Sequence, residues 1–502
     1  MTERNFAGKG SNNPKNASSG RRNGSNQAHT LEKRRTRVSE TRVVAYDILR
    51  DVADRDAYAN LALPAKLAQR GIAGREAALA TELVAGTLRN QGRYDAIIAI
   101  AAKRPAEQID PRTLRVLRLG AHQLLGMRTA AHAAINESVE LQRIVSNAKA
   151  TGFVNGVLRT ISGQTAEEWL TQVAAAQQPN HDAALAACHS HPEWIVRALR
   201  DALTKDGRDT EFETMLAANN ESPRVHLVVL PQPGRSNSEL VQQALDALPD
   251  NLTAGGVSPL GLELQGLAPA VAIEKLSQAG VVARVQDQGS QLAALALSRV
   301  APVGKDEKWL DLCAGPGGKT ALLAAEAAGC GARVRANEVA PHRADLVERA
   351  VIDNADVVDV VSFDGTTDEA FGGENFDRIL VDAPCSGLGA LRRRPEARWR
   401  KQPSDIPELV RLQEKLLAAA VAHLRPGGFL AYVTCSPHLA ETKAVVIRLL
   451  RKHAELESLD TAKTLREISP NIALSQTGDA AQLWPHAHGT DAMFIALFRR
   501  AK

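Results

Sequence analysis

The chain has 502 residues, of which 44% are hydrophobic and 24% are charged, and its net charge is +4. This length predicts about three domains. Because no apolar run approaches the roughly 20 residues of a membrane-spanning helix, we expect a cytoplasmic protein with no membrane partner. Five cysteines are too few for a disulfide framework and have no zinc-type spacing, so we expect reduced thiols and no metal.

Residues 1–37 are a basic, polar arm. They carry nine Lys or Arg against two Glu, a local charge of +7 that leaves −3 for the rest of the chain. The arm is rich in Asn, Ser and Gly and has few apolar side chains to bury, so we predict that it is disordered. Two roles stay open for it: a solubilising tail, or an RNA-binding arm that acts through phosphate electrostatics.

Residues 38–163 show the apolar spacing of amphipathic helices and predict an all-helical domain. Its last helical segment is expected to begin with Asn136 as the N-cap. The segment AINESVELQRI, followed by GFVNGVLRTI, resembles NusB-type antitermination domains, which implies a helical RNA-binding fold. Residues 164–220 are Ala-rich and polar, and we interpret them as a helical linker.

Residues 221–282 predict a small α/β subdomain similar to an RRM. A strand at Arg224–Leu230, a Pro/Gly turn and a helix at Leu240–Leu248 support this. It either positions RNA or only packs on the next domain. Residues 283–502 alternate strands and helices, which predicts a Rossmann-like, doubly wound α/β domain.

The first strand of this last domain, Trp309–Asp311, leads into a glycine-rich loop. The glycines permit a tight turn and the close approach of a ligand at the positive end of the following helix. The sequence GKT is not a phosphate loop, because Cys313 stands where that motif requires glycine, and there is no GxGxxG fingerprint. The residues of the loop are Cys313, Ala314, Gly315, Pro316, Gly317, Gly318 and Lys319.

Acidic residues follow the next three predicted strands: Glu338, Asp364 and Asp382. Glu338 lies twenty residues after Gly318, where an acid can accept hydrogen bonds from ribose hydroxyls. Asp364 can reach an adenine amino group. Acids at these positions beside a glycine-rich loop predict a site for S-adenosylmethionine, whose ribose and adenine offer donors and whose sulfonium is cationic.

Two strands, Phe376–Asp382 and Phe429–Val433, each deliver a cysteine beside a proline: Cys385 and Cys435. The ends of parallel strands meet at one edge of a sheet, so we expect a paired-thiol site. Methylation of cytosine C5 needs a thiolate that adds to C6, an acid at the N3 edge and a base for the C5 proton. Cys435, Asp382 and Cys385 can fill these parts, although each cysteine alone could be an inert core residue.

The segment Leu391–Lys401 carries six basic residues against Glu396. It predicts RNA contacts, in which arginines bind phosphates and a tryptophan stacks on an unpaired base. A solvated basic loop is the alternative. The candidate residues are Arg392, Arg393, Arg394, Arg398, Trp399 and Arg400.

The motifs DLCAGPGGKT, FDRILVDAPCSGLGALRRRPEARWR, DIPELVRLQ, YVTCSP and GTDAMFIALF together resemble the RsmB/NOP family of RNA cytosine-5 methyltransferases. The resemblance implies that Cys435 is the nucleophile and that Cys385 assists product release. It also implies that the loop Cys313–Lys319 contacts S-adenosylmethionine together with Glu338, Asp364 and Asp382.

The chain departs from the family pattern at three places. Gly315 follows Ala314 where a second Ala is common, Thr442 follows Glu441 where Asn is common, and Ala492 follows Asp491 where Gly is common. A role for that Asn is therefore not carried over to this chain.

The resemblance implies a monomeric enzyme that methylates cytosine C5 in 16S ribosomal RNA, either as free RNA or in a small-subunit assembly intermediate. Two alternatives stay open: a transfer RNA cytosine-5 methyltransferase, and a non-catalytic NusB-like RNA-binding or ribosome-assembly factor. The presence of Cys435, Cys385, Asp382 and the glycine-rich loop favours an enzyme.

Overall fold

The computed structural model describes residues 38–474 and 478–502, so the prediction for residues 1–37 lies outside it. The described residues form two compact units. Unit 1 contains the described residues up to Thr87 together with Tyr94–Trp169, and unit 2 contains Leu88–Arg93 together with those from Leu170 onward.

Unit 1 is helical, as the sequence predicts. The helix Pro111–Leu125, α5 in the list below, shows why the segments of unit 1 fold as helices. The Asp110 side chain caps it by accepting from Thr113 N, Pro111 is its first residue, and Leu117 on its apolar face is fully buried. The helices, three of which (α3, α4 and α8) continue into unit 2, are α1 Glu40–Arg55, α2 Ala59–Gln69, α3 Gly74–Arg89, α4 Gln91–Ala102, α5 Pro111–Leu125, α6 Ala131–Val145, α7 Thr151–Ser162 and α8 Ala166–Ala176.

The expected cap at Asn136 is wrong. Helix α6 begins five residues earlier, at Ala131, and Asn136 lies inside it on the exposed face. The buried residues Ala134 and Ile135 extend the apolar face toward the N-terminus, and their packing outweighs the local preference of Asn for a cap.

Residues 181–218 are not a linker but part of unit 2. Helices α9 His181–Cys188, α10 Glu193–Lys205 and α11 Phe212–Ala218 pack their apolar faces against buried residues far along the chain. Two such partners are Leu391 and Trp484, and the Trp484 indole N–H also donates to Asp206 at 2.7 Å. The helices therefore contribute to the core of unit 2.

The small α/β subdomain is a four-stranded antiparallel sheet within the described residues, in the order β2-β3-β1-β4, with two helices. Its elements are β1 Val225–Val229, α12 Asn237–Ala247, β2 Leu252–Ala254, β3 Gly261–Leu264, α13 Pro269–Gln278 and β4 Ala283–Val285. Strand β4 lies beyond the predicted boundary at residue 282. It was missed because only Ala283 of its three residues is buried, so it has almost no apolar pattern.

The rest of unit 2 is built on a larger sheet, whose path through the described residues is β10-β12-β9-β8-β5-β6-β7, with β11 paired to β12. Strands β5 to β9 are parallel, and β12 is antiparallel to β9. The elements are α14 Gln288–Ser298, β5 Lys308–Asp311, α15 Gly318–Cys330, β6 Arg333–Asn337, α16 Pro341–Ala350, β7 Val358–Val361, β8 Phe376–Asp382, α17 Ala397–Arg400, α18 Ile406–Ala422, β9 Leu424–Thr434, α19 Lys443–Lys452, β10 Leu456–Ser458, α20 Thr461–Ile468, β11 Ala480–Gln482, α21 Pro485–His488 and β12 Phe494–Arg500.

Both faces of this sheet are buried, which explains the uninterrupted apolar run in β8. Ile379 and Val381 pack into the cluster on one face and Leu380 into the cluster on the other, and all three are fully buried. Strand β6 lies on one side of β5 in the sheet, and β8 lies on the other side. A crevice therefore opens at the carboxyl ends of β5 and β8, where such sheets bind ligands.

In the part of the chain that the structure describes, none of the helices has the length and apolar character needed to cross a membrane. The same residues contain no cluster of three or more His, Cys, Asp or Glu side chains that could hold a metal ion.

Candidate active site at the carboxyl ends of the parallel strands

The structure brings Cys385 and Cys435 together. Strands β8 and β9 pair in parallel with Asp382 opposite Val433. Each strand is followed by a turn out of the sheet that carries one of the two cysteines. The two sulfur atoms are 3.4 Å apart and both thiols are half-buried. Two loops that are 50 residues apart in sequence thus form one dithiol site.

The two thiols differ in acidity. The hydrogen bond between Cys385 and Cys435 holds the pKa of Cys435 below its ordinary value, and the Lys319 cation acts in the same direction. The same hydrogen bond, together with burial, raises the pKa of Cys385 well above its ordinary value. Cys435 is therefore the more acidic member of the pair.

Lys319 and Asp382 form an ion pair beside this dithiol, with Lys319 Nζ donating to Asp382 Oδ2 at 2.7 Å. Burial alone would lower the pKa of Lys319, but the Asp382 carboxylate raises it overall, so the ammonium is retained. The sequence pattern singled out both residues for cofactor binding, and the structure adds that they are partners.

The glycine-rich loop forms a tight cradle between β5 and α15. Gly315 and Gly317 have φ values of +60° and +91°, in the left-handed region that favours glycine. A Cβ atom on Gly317 would lie 2.6 Å from the Ala350 Cβ, so no larger residue fits there. Helix α15 begins at Gly318 without a side-chain cap, which leaves its first N–H groups available to a ligand.

Glu338 is tied to this loop. It is 4% exposed, its Oε2 accepts from Gly315 N at 2.9 Å, and its Oε1 accepts from Ala340 N at 3.1 Å. Arg343 lies 3.4 Å from the same carboxylate. Asp364 is different, because it is exposed and its Oδ1 already accepts from the Thr366 backbone and hydroxyl.

Asp311, which ends β5, was not singled out by the sequence pattern. It is fully buried, and its Oδ2 accepts from the Thr320 hydroxyl at 2.7 Å, but among the described residues its Oδ1 has no hydrogen-bond partner. Burial raises the pKa of Asp311 to about 7. A buried carboxyl oxygen without a partner, next to a glycine cradle and a free helix N-terminus, fits a ligand with hydrogen-bond donors, as the predicted S-adenosylmethionine has.

The RNA-contact prediction does not hold for Arg392 and Arg393. Arg392 is 4% exposed and donates to Asp491 and to the Gly489 carbonyl, and Arg393 donates to Asp287 at 2.7 Å and to Asp491 at 3.0 Å. These aspartates neutralise the arginines inside unit 2, so the guanidinium groups are not available to phosphates.

Arg398 is also a structural residue. It is fully buried and donates to the carbonyls of Arg89, Ser190 and Asn219 and to the Asn220 side chain, at 2.7 to 3.1 Å. These acceptors replace water around the guanidinium, which is why a basic residue is tolerated there.

Of the remaining candidates in this segment, Arg394 is exposed, whereas Trp399 and Arg400 are half-buried. The Trp399 ring is so close to Gly92 that a Cβ atom there would lie 2.5 Å from it. RNA contacts by these three residues stay predictions.

Glu441 and Gln413 were given no role by the sequence pattern, yet both are fully buried behind the dithiol. Gln413 donates to the Pro384 carbonyl at 2.9 Å and to Glu441 at 3.2 Å. In the sequence they lie in or near the quoted motifs DIPELVRLQ and YVTCSP, and Glu441 directly precedes Thr442, one of the three departures from the family pattern.

Comparison with known proteins identifies two family matches. A model described as 16S rRNA methyltransferase RsmB/F matches residues 299–499, and a NusB family model matches residues 39–163. The first contains the dithiol and the glycine-rich loop, and the second covers helices α1 to α7.

Individual relatives match almost end to end. A Mycobacterium tuberculosis protein named only as a methyltransferase is 48% identical over 93% of this chain and 98% of its own. Ribosomal RNA small subunit methyltransferase B of Erwinia tasmaniensis is 30% identical over 92% of this chain and 98% of its own. The crystal structure of PH0851 shares the fold, with a TM-score of 0.70, 21% identity and coverage of 91% and 97% of the two chains.

Proposed function

We propose that this chain, which belongs to the RsmB/F family of 16S ribosomal RNA methyltransferases, transfers a methyl group from S-adenosylmethionine to C5 of a cytosine in 16S ribosomal RNA. One observation carries the chemistry. Two thiols of different acidity, with sulfur atoms 3.4 Å apart, lie at adjacent strand ends next to the Lys319–Asp382 ion pair. The family relationship supports the choice of ribosomal RNA over transfer RNA.

When bound, S-adenosylmethionine supplies an electrophilic methyl group. The residues that would hold it are the loop Cys313–Lys319 with Asp311, Glu338 and Asp364, and the features that fit it are the glycine cradle and the unpaired Asp311 oxygen. The chain's own task is to make the cytosine ring reactive.

Cys435 begins the reaction because its thiolate adds to C6 of the cytosine. A sulfur–carbon bond forms, and the displaced electron pair moves through the ring toward N3. The Lys319–Asp382 pair acts electrostatically on Cys435 and can deliver a proton at the N3 edge. C5 then carries enough electron density to take the methyl group.

Cys385 completes the cycle. Its high pKa comes first from the hydrogen bond to Cys435, and this interaction ends once Cys435 is bonded to carbon. Cys385 then loses its proton to solvent, and its thiolate removes the C5 proton. The electron pair of that C–H bond restores the ring double bond and expels the Cys435 thiolate, and the proton at N3 returns to the Lys319–Asp382 pair.

The test compares Cys435→Ala with Cys385→Ala on a 16S ribosomal RNA transcript and labelled S-adenosylmethionine. Cys435→Ala should form no covalent complex and no methylated RNA. Cys385→Ala should accumulate a protein–RNA adduct that survives denaturing electrophoresis, because the C5 proton is not removed. Cys330→Ala, at an exposed thiol at the end of α15, is the matched control and should behave as wild type.

Full turnover by both variants would rule out thiol catalysis, and an adduct trapped only by Cys435→Ala would reverse the two roles. Transfer RNA in a parallel reaction tests the alternative substrate. Absence of any methyl transfer by the wild type would leave the non-catalytic RNA-binding function.

A further inference from the structure

Glu441 lies in the loop between β9 and α19 and is fully buried. In the described part of the chain no ion pair neutralises it, which is unusual because an isolated buried carboxylate is costly. It is compensated instead by hydrogen bonds, which come from the two loops that carry the catalytic thiols and from Gln413 on α18.

Each carboxylate oxygen of Glu441 has a separate set of donors. Oε1 accepts from Ser386 N at 2.8 Å and from Gln413 Nε2 at 3.2 Å. Oε2 accepts from the hydroxyls of Ser386 and Ser436, the latter at 2.7 Å. Ser386 directly follows Cys385 and Ser436 directly follows Cys435, and the two hydroxyl oxygens are 3.0 Å apart.

We infer that Glu441 is a positioning residue, whose carboxylate clamps the loops after β8 and β9 so that the sulfurs of Cys385 and Cys435 face each other. The inference rests on the proposed function for its relevance to catalysis. The position of the two sulfurs can be tested independently of that function, because the two thiols can be probed without RNA or cofactor.

The clamp depends on a carboxylate because Oε2 must accept from two hydroxyls at once. Glutamine keeps the volume and one acceptor oxygen, but it is neutral and its other terminal atom is a donor, so both serine hydroxyls would have to reverse direction and the charge-assisted hydrogen bonds would be lost. Glu441→Gln should therefore weaken the hold on the Ser436 loop while keeping the contact to Ser386 N. The double variant Ser386→Ala/Ser436→Ala removes the same two hydrogen bonds from the other side and should have the same effect.

The experiment is capture of the free protein by phenylarsine oxide, which bonds to two facing thiols and releases water. Wild type should bind it tightly through Cys385 and Cys435, and Cys385→Ala should not. Glu441→Gln and the serine double variant should bind at least tenfold more weakly. The matched control is Glu414→Gln, which removes a carboxylate next to Gln413 that is ion-paired with Arg448 and Lys452 and touches neither loop.

A second measurement separates positioning from general stability. In steady-state methylation, Glu441→Gln should lower kcat by at least tenfold while the KM values for RNA and cofactor stay within twofold of wild type. If Glu441→Gln and the serine double variant capture the arsenical as tightly as wild type does, the inference is wrong, even if the variants melt at lower temperature. If capture is weakened as expected but the wild type methylates no RNA, positioning is upheld and the proposed function fails.

Discussion

Asp311 shows how a single buried carboxyl makes stability depend on pH. Its pKa is raised by burial to about 7 in the folded protein, against an ordinary value of 3.8. Between these values the folded chain holds a proton that the unfolded chain has lost, so the free energy of unfolding should fall as pH rises from about 4 to about 7.

We predict that Asp311→Asn removes this pH dependence. Asparagine keeps an acceptor for the Thr320 hydroxyl but cannot ionise. In the absence of cofactor, the stability of the variant relative to wild type should increase with pH, by at most about 1.4 kcal/mol per pH unit across this window. Urea denaturation from pH 4.5 to 7.5 measures it.

The control is Asp364→Asn. Hydrogen bonds from Thr366 lower the pKa of this exposed carboxyl. In the wild type, Asp364 should therefore contribute little to the free energy of unfolding, and that contribution should be lost as the pH falls, which is the opposite sign to that of Asp311. A stability difference for Asp311→Asn that does not change with pH would contradict the prediction.

We also predict that Arg398 stabilises the fold and does not bind RNA. Replacing it with Ala leaves three backbone carbonyls and Asn220 without their donor, which should cost about 2–4 kcal/mol in the free energy of unfolding. RNA affinity of the folded variant should match wild type in a filter-binding titration.

Arg394→Ala should show the opposite pattern, because Arg394 is exposed. Its stability should change by no more than about 0.5 kcal/mol, and its RNA binding should weaken and depend less on salt. Loss of RNA affinity in folded Arg398→Ala without loss of stability would restore the original assignment.

At the scale of single residues, the sequence predicted which side chains lie together better than it predicted which side chains are buried. The motifs located Cys385, Cys435 and Asp382 at one site. They could not distinguish a basic side chain that faces RNA from one that is buried against carbonyl oxygens, as Arg398 is. That distinction depends on residues about 180 to 310 positions away in sequence, which a local pattern cannot contain.

Among the elements, the loop after β8 is sterically restricted at Gly389. Gly389 N donates to the Cys435 carbonyl at 2.9 Å, and Ala492 N donates to the Gly389 carbonyl at 2.9 Å. A Cβ atom on Gly389 would collide with the Ala492 carbonyl and lie 2.8 Å from the Cys435 carbonyl oxygen. The loop therefore sets the position of Cys435 through backbone contacts.

We predict that Gly389→Ala lowers kcat on the order of 100-fold, because the Cys435 loop must shift. S-adenosylmethionine affinity by calorimetry should remain close to wild type, since the cofactor loop is elsewhere. Gly387→Ala is the control: its φ is +74° but its Cβ would meet nothing within 4 Å, so we expect a stability loss of about 1 kcal/mol and nearly normal activity. Equal activity of the two variants would contradict the argument.

Strand β8 and the last residues of β9 were predictable because both of their faces are buried and their apolar runs are continuous. The short strand β4 and the start of α6 were not, since tertiary packing decides them. The same holds for helices α9 to α11, whose apolar faces are visible in the sequence but whose partners near Leu391 and Trp484 are not.

For the molecule as a whole, the packing of unit 2 predicts which fragments fold. A chain of residues 283–502 loses the helices that cover Leu391 and Trp484, and it loses Val228 and Leu260, which share a core cluster with α14. We predict that it exposes apolar surface, binds a hydrophobic dye and unfolds without cooperativity, whereas residues 170–502 melt cooperatively.

Near-ultraviolet circular dichroism and thermal melts of the two fragments test this. A cooperative transition of residues 283–502 at the temperature seen for residues 170–502 would show that the last domain is autonomous, as the domain boundary drawn from sequence implies. That boundary rests on where strands and helices begin to alternate in the sequence, but this alternation does not reveal which buried faces share one core.

The hydrogen bonds of Arg398 also bear on how this protein could be recombined with its relatives. Three of the four acceptors are main-chain carbonyls, at Arg89, Ser190 and Asn219, and a carbonyl is the same group whatever side chain its residue carries. The contact with Arg398 therefore depends on the backbone path at those positions and not on their side chains. A chimera that exchanges the segment Leu391–Lys401 between distant homologues should consequently keep these three hydrogen bonds only if no insertion or deletion lies beside residues 89, 190 and 219.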